Sequence, residues 1–137
     1  MTGSGTIDAE RAFVRAARGR RRAALLRWLR GERAEGLPVY DETGASSAAR
    51  GIRAIPLDAI LGTLEPSRAS LFDRHFRPAA GARARWQRLW LAEHRGAVLP
   101  PISVARVGNG FAVRDGHHRV SVARARGAAC IDALELP

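Results

Sequence analysis

The sequence predicts an α+β domain: a small mixed sheet covered by short helices and preceded by a basic helical segment. Three observations lead there. The chain has 137 residues, 46% of them hydrophobic, which is one domain's worth with enough apolar surface for a core. Apolar residues recur at helical spacing in several separate stretches. Between these lie short runs rich in Val and Ile, bounded by Gly and Pro. The order helix, helix, strand, irregular segment, helix, hairpin, helix, strand fits a mixed layer architecture. Residues 1–51 form the basic helical extension and a loop, and residues 52–137 the domain.

In the extension, Asp8 is placed to cap a helix whose broken apolar stripe is Phe13, Ala16, Ala17, Ala24, Leu25, Trp28 and Leu29. Gly19 interrupts it within Arg18-Gly19-Arg20-Arg21-Arg22, predicting two helices or one kinked helix. Gly31 and Gly36-Leu37-Pro38 close the segment, and residues 41–51 read as a loop. Ile52 to Leu57 reads as a strand ending at Pro56, followed by a helical turn over Leu57–Leu61. Glu65 to Phe76 is polar and irregular, with Pro66 and Pro78 at its limits. An amphipathic helix runs from about Ala79 to His94, with Trp86 and Trp90 as core anchors. Gly96 ends it, and Ile102–Val107 and Phe111–Arg114 form a hairpin about Gly108-Asn109-Gly110. A helix from about His117 to Arg126 is capped by Gly127, and Cys130 to Leu134 supplies a last strand.

Composition excludes several classes. No stretch approaches the ~18–20 apolar residues of a bilayer span, and the amino terminus lacks the basic and apolar regions of a secretory signal. A lone cysteine, Cys130, cannot form an internal disulfide. The expectation is a cytoplasmic protein with no membrane partner. Formal net charge is +10, with 23 basic residues against 13 acidic, and every basic residue is arginine. A GC-rich coding bias and a phosphate-rich partner both account for this. Nine of the arginines fall in residues 1–33. Arg18, Arg20, Arg21 and Arg22 are the candidates for contact with a DNA or RNA backbone, and Trp28 with Leu29 for pairing with a second copy.

The stretch Asp115-Gly116-His117-His118-Arg119 holds the most chemistry. A strand enters a glycine turn and passes straight into a helix, whose first amides lack intrahelical partners and carry the positive end of the helix dipole. Gly116 leaves room for an oxyanion, Arg119 can fork onto a phosphate, and His117 or His118 can donate a hydrogen bond or move a proton. Asp115 can hold a hydroxyl, a hydrated Mg²⁺ or an imidazole. Two other readings stand beside this phosphate cradle. One is a plain helix capped by Asp115 with two solvated histidines; the other is a zinc site, for which a third ligand is wanting.

Residues 55–136 resemble the ParB/sulfiredoxin-like family. The family order of opening strand, Q-P-R segment with a Phe, helix, L-x-P-I-x-V, hairpin, G-E-R-R and Ala-rich helix has counterparts here. They are Ile55-Pro56-Leu57, Glu65-Pro66-Ser67-Arg68 with Phe72, Leu99 to Val104, Gly116 to Arg119, and Ala123 to Gly127. The resemblance implies a grip on phosphates by Gly116, His118, Arg119 and Arg68, with a nucleotide (CTP or ATP) as ligand and Mg²⁺ as its companion. Glu65 is the remaining carboxylate for a base or metal role, and His75 would lie near the nucleotide or serve structure alone. The family glutamate after the glycine is replaced by histidine, which sets CTP hydrolysis in doubt. Sulfiredoxin chemistry is excluded because His117 stands where the reactive cysteine would be. No helix-turn-helix follows the closing strand, so no operator reader is expected.

Three functions follow. The first is a ParB-like nucleotide- or phosphate-binding module linked to DNA binding or partition, with nucleotide-gated self-association into a homodimer. The second is a nucleotide-dependent phosphotransferase or nuclease with His117, His118 and Asp115 as catalytic groups. The third is a non-catalytic nucleic-acid-binding protein that works through its arginines.

Overall fold

The computed structural model describes residues 2–33, 36–41 and 50–136. Its elements are α1 (Thr2–Leu29), β1 (Arg50–Pro56), β2 (Ile60–Thr63), α2 (Arg83–His94), β3 (Ile102–Val107), β4 (Gly110–Asp115), α3 (His117–Ala125) and β5 (Cys130–Glu135), with 3-10 turns at Leu57–Ala59, Pro66–Leu71 and Ala80–Ala82. The five strands form one mixed sheet in the order β1-β5-β3-β4-β2. β1 with β5 and β3 with β4 are antiparallel, whereas β3 with β5 and β2 with β4 are parallel. This is the α+β architecture expected, with its small mixed sheet and its amino-terminal helix.

The main core packs Ile55, Ile60, Ile102, Val104, Phe111 and Val113 from the sheet against Val120 of α3, with Leu37, Phe72 and Phe76 closing one end. Glu135 ties strands together within the sheet. Its buried carboxylate accepts from Arg53 of β1 at 3.3 Å and Arg106 of β3 at 3.2 Å, and both guanidiniums lie over the Phe111 ring of β4. A second cluster joins the helices. Phe13 and Ala17 of α1 meet Trp86 of α2 and Val122 of α3. The Phe13 and Trp86 rings meet edge-on with centroids 5.5 Å apart, and Trp86 donates its indole N–H to Ser121 at 2.9 Å. Trp86 is therefore the core anchor expected, Trp90 is half-buried, and the basic extension packs on the domain rather than standing apart from it.

Four expectations are corrected. Of the two alternatives for α1, two separate helices are excluded: it is one continuous helix of 28 residues across Gly19, where a side chain would make ordinary contact with Arg77. Asp8 does not start the helix, which already runs from Thr2. Its end is as expected: Gly31 takes φ +74°, and the amides of Gly31 and Glu32 donate back to Trp28 and Arg27 in a Schellman closure. The turn expected over Leu57–Leu61 spans only Leu57–Ala59, because Ile60 to Thr63 pairs with β4 as a strand. The segment 36–41 does more than close α1. It lies along β2, with Thr63 N–H donating to Pro38 and Tyr40 N–H to Thr63, both at 2.9 Å, and buries Leu37. The expected loop falls mainly on residues 42–49, outside the described residues, and its last two residues belong to β1.

Close approach of this strap requires Gly62, since a Cβ there would collide with the Pro38 carbonyl and lie 2.8 Å from the Tyr40 ring. Gly62→Ala is expected to push the strap off β2 and lift Leu37 out of the core, at a loss on the order of 1–3 kcal/mol. Urea unfolding of the variant beside the parent measures it, and unchanged stability would show the strap to be dispensable.

Candidate functional site

The turn from β4 into α3 is built on Gly116, whose φ of +112° strains any residue with a Cβ. The missing side chain has a packing reason: a Cβ at 116 would run into the Ile102 side chain. Gly116 also occupies the cap position, and no side chain caps α3. Asp115, expected as the cap, instead projects into solvent and pairs with Arg119 one turn later at 3.1 Å.

Beyond this turn the two histidines are buried, 4% and 7% exposed, so the reading of two solvated histidines is wrong. Phe72 explains their burial. Its ring stacks near-parallel to His117 at 6.5 Å and meets His118 edge-on at 5.2 Å. His117 Nε2 lies 2.6 Å from Thr63 Oγ1, and the same oxygen accepts the Glu65 amide at 2.8 Å. The other acceptors within reach of the Thr63 hydroxyl are carbonyls at 3.3 and 3.4 Å. The network therefore assigns the hydroxyl proton to Nε2 and the imidazole proton to Nδ1. Burial, then the Arg68 charge, pushes His117 down to about 4. Burial, then Arg85 and Arg68, does the same to His118. Both rings are neutral at pH 7.

A cleft of about 470 Å³ opens over this turn, lined by Glu65, Arg68, Arg85, Arg114, Asp115, Gly116, His117, His118 and Arg119 among others. The structure thus brings together all seven residues expected of the cradle and adds Arg85 and Arg114, which sequence reasoning missed. Their roles differ from expectation. Arg119 donates to the carbonyls of Pro100 at 2.7 Å and Pro101 at 2.9 Å as well as to Asp115, so it fastens the Leu99–Pro101 loop instead of standing ready for a phosphate. Arg68 and Arg85 have no carboxylate partner among the described residues. Glu65 is exposed on the rim. His75 lies away from this cleft, its amide held by Asp73 at 2.9 Å, and it lines a separate cleft beside α1.

Of the four arginines assigned to nucleic acid, Arg18, Arg21 and Arg22 are exposed on α1. Arg20 turns inward beside Phe72 and Asp73, with its Nε buried and without a partner. Trp28 and Leu29 remain largely exposed, and Cys130 is an exposed free thiol. Among the described residues no group of three or more His, Cys, Asp or Glu gathers to hold a metal, and no helix is long and apolar enough to cross a membrane. No protein-family model, curated protein or solved structure matches this chain.

Two outcomes are expected from this geometry. Thr63→Val keeps the shape but orphans the Glu65 amide and the His117 ring nitrogen, a loss on the order of 2–3 kcal/mol in denaturant titrations at pH 7.5. Acid acts through the same rings. Above pH 6.5 folded and unfolded chains both hold neutral imidazoles, so the histidines leave stability level with pH. Between 6.5 and about 4 the unfolded chain takes up protons that the folded chain refuses, and stability falls. The loss reaches about 2 kcal/mol per imidazole at pH 5. Unfolding midpoints at pH 7.5 and 5.0 test this, with His118→Gln expected to remove about half of the difference.

Proposed function

We propose that this chain is a ParB/sulfiredoxin-like module that binds the phosphates of a nucleotide, CTP or ATP, at the amino end of α3. The observation carrying the reading is the charge balance of the cleft around that end. Arg68 and Arg85, without a carboxylate partner among the described residues, face it from two different elements, while Asp115 is already engaged by Arg119, leaving Glu65 as the other carboxylate in the lining. Uncapped amides at the start of a helix add a partial positive charge and donors in the same place. His118 makes no hydrogen bond to a protein group among the described residues, so its neutral ring is available to donate one to a ligand oxygen. Mg²⁺ would enter with the phosphates, and Glu65 is the carboxylate placed to meet its water shell.

The site favours binding over turnover. A general acid or base works best with a pKa near the working pH, and imidazoles held near 4 carry no proton to give at pH 7 and accept one poorly. His117 is further committed to Thr63. The phosphotransferase and nuclease readings thus lose their expected acid.

A thermal-shift panel with CTP, ATP, ADP, GTP and pyrophosphate, with and without Mg²⁺ at fixed salt, tests the proposal. A nucleotide-dependent rise of several degrees at saturating ligand is expected, and Arg68→Ala or Arg85→Ala should abolish it while leaving the ligand-free midpoint nearly unchanged. No shift with any of the five would refute the phosphate site.

A further inference from the structure

Two groups of arginines in this protein contrast. Arg53, Arg77, Arg106, Arg119, Arg124 and Arg126 are each paired with a carboxylate. α1 carries seven arginines, and among the described residues none of them takes part in an ion pair. Five are exposed, and four of these, Arg11, Arg15, Arg18 and Arg22, recur at i, i+4, i+7 and i+11, which a turn of 100° per residue gathers within about 60° of the helix surface; Arg21 falls outside that sector. The stripe extends ~16 Å at 1.5 Å per residue. Its neighbours are like charges at i,i+3 and i,i+4, an arrangement that opposes the helix unless a counter-charge comes from outside the chain.

Beside the stripe lies a second cleft, about 570 Å³, between α1, the 75–78 loop and the end of α3. Arg15 forms one wall and Arg77, Arg124 and Arg126 the other, and no carboxylate lines it. The latter three are paired with Asp73, Asp58 and Glu93, none of which lines the cleft. Trp90 is no stacking platform here, because His94 covers it at 4.8 Å and Arg126 at 5.4 Å.

We propose that the outer face of α1 and this cleft together form a groove for the phosphate backbone of a nucleic acid, separate from the site at the start of α3. The partner must be a polyanion, since a row of unpaired guanidiniums gains from serial phosphates and the release of their counterions. It must also fit a concave surface, which a strand of nucleic acid does and a flat lipid headgroup layer does not. The exposed large apolar residues of α1 are Ile7 near its start and Leu25, Leu26, Trp28 and Leu29 in its last turns; none lies between Arg11 and Arg22, so the helix has no continuous apolar face to lay into a bilayer. A second copy presenting the same stripe would be repelled. Relative to the sequence expectation, Arg18 and Arg22 stay, Arg20 leaves because it faces inward, and Arg11, Arg15, Arg77, Arg124 and Arg126 enter.

Fluorescence anisotropy with a labelled 20-base-pair DNA duplex and a 20-nucleotide strand, over a salt series, tests this. The full chain is compared with a variant carrying Arg→Gln at 11, 15, 18 and 22, and with a control carrying Arg→Gln at 30, 33, 88 and 95. Both variants lose the same charge. The stripe variant is expected to lose at least tenfold in affinity for whichever probe binds best. Its log–log salt slope on the duplex should fall by roughly three to four, at about 0.9 per phosphate contact. The control should change less than threefold. The stripe variant should also keep its circular dichroism and any shift produced by pyrophosphate or nucleotide, which separates this groove from the α3 site. Should it fail to fold, Arg15→Gln with Arg18→Gln serves, with a threefold or greater loss expected. Equal losses in stripe variant and control, no binding of either probe, or binding only to phosphatidylserine vesicles would each overturn the proposal.

Discussion

The site hangs on one oxygen. Thr63 Oγ1 sits at the end of β2, fully buried, and holds the Glu65 amide on one side and the His117 ring on the other. The first contact sets where the chain leaves the sheet to begin the turn that carries Arg68. The second fixes the first residue of α3 against β2, although the two are 54 positions apart in sequence. Arg68 reaches the start of α3 because both segments answer to the same hydroxyl. Phe72 completes the arrangement from above: it belongs to the segment that follows Arg68, and its ring covers both imidazoles.

Charge is organised at two levels by this packing. Within the cleft, burial is the first cause that holds both histidines neutral, so its positive charge is carried by arginines and not by imidazoles. Elsewhere, Arg53 and Arg106 of the sheet and Arg119 and Arg124 of α3 are paired with Asp or Glu, whereas among the described residues the arginines of α1 are not. Part of the formal charge of +10 thus stands uncompensated on a helix fastened to the domain by Phe13 and Trp86.

The carboxy-terminal half was largely legible in the sequence, because its boundaries are marked by local chemistry. Gly96, Gly108, Gly116 and Gly127 all adopt positive φ at the ends of elements they were expected to end, and the hairpin and α3 follow from them. What escaped was set by contacts distant in sequence. β2 is four residues with a glycine inside and no alternation to reveal it; only β4 on one side and the 36–41 strap on the other make it a strand. Arg85 and Arg114 reach the cleft from α2 and β4, and neither belongs to the recognisable turn. Arg119 does belong to it, yet the structure gives its donors to Pro100 and Pro101, a partnership that no spacing within 115–119 announces. Asp115 does not cap α3, and the packing demand that Ile102 places on Gly116 comes from a strand neighbour that the turn itself does not announce.

The strap on β2 has one more consequence. A sheet can grow by accepting a strand at either margin, and here one margin is already occupied by the chain's own residues 36–41. The outer margin of β1 has no partner among the described residues, and Pro56 at its end withholds a donor. Among the described residues the two margins are therefore unequal: a strand arriving at β2 would have to displace the strap and uncover Leu37, whereas one arriving at β1 would displace nothing.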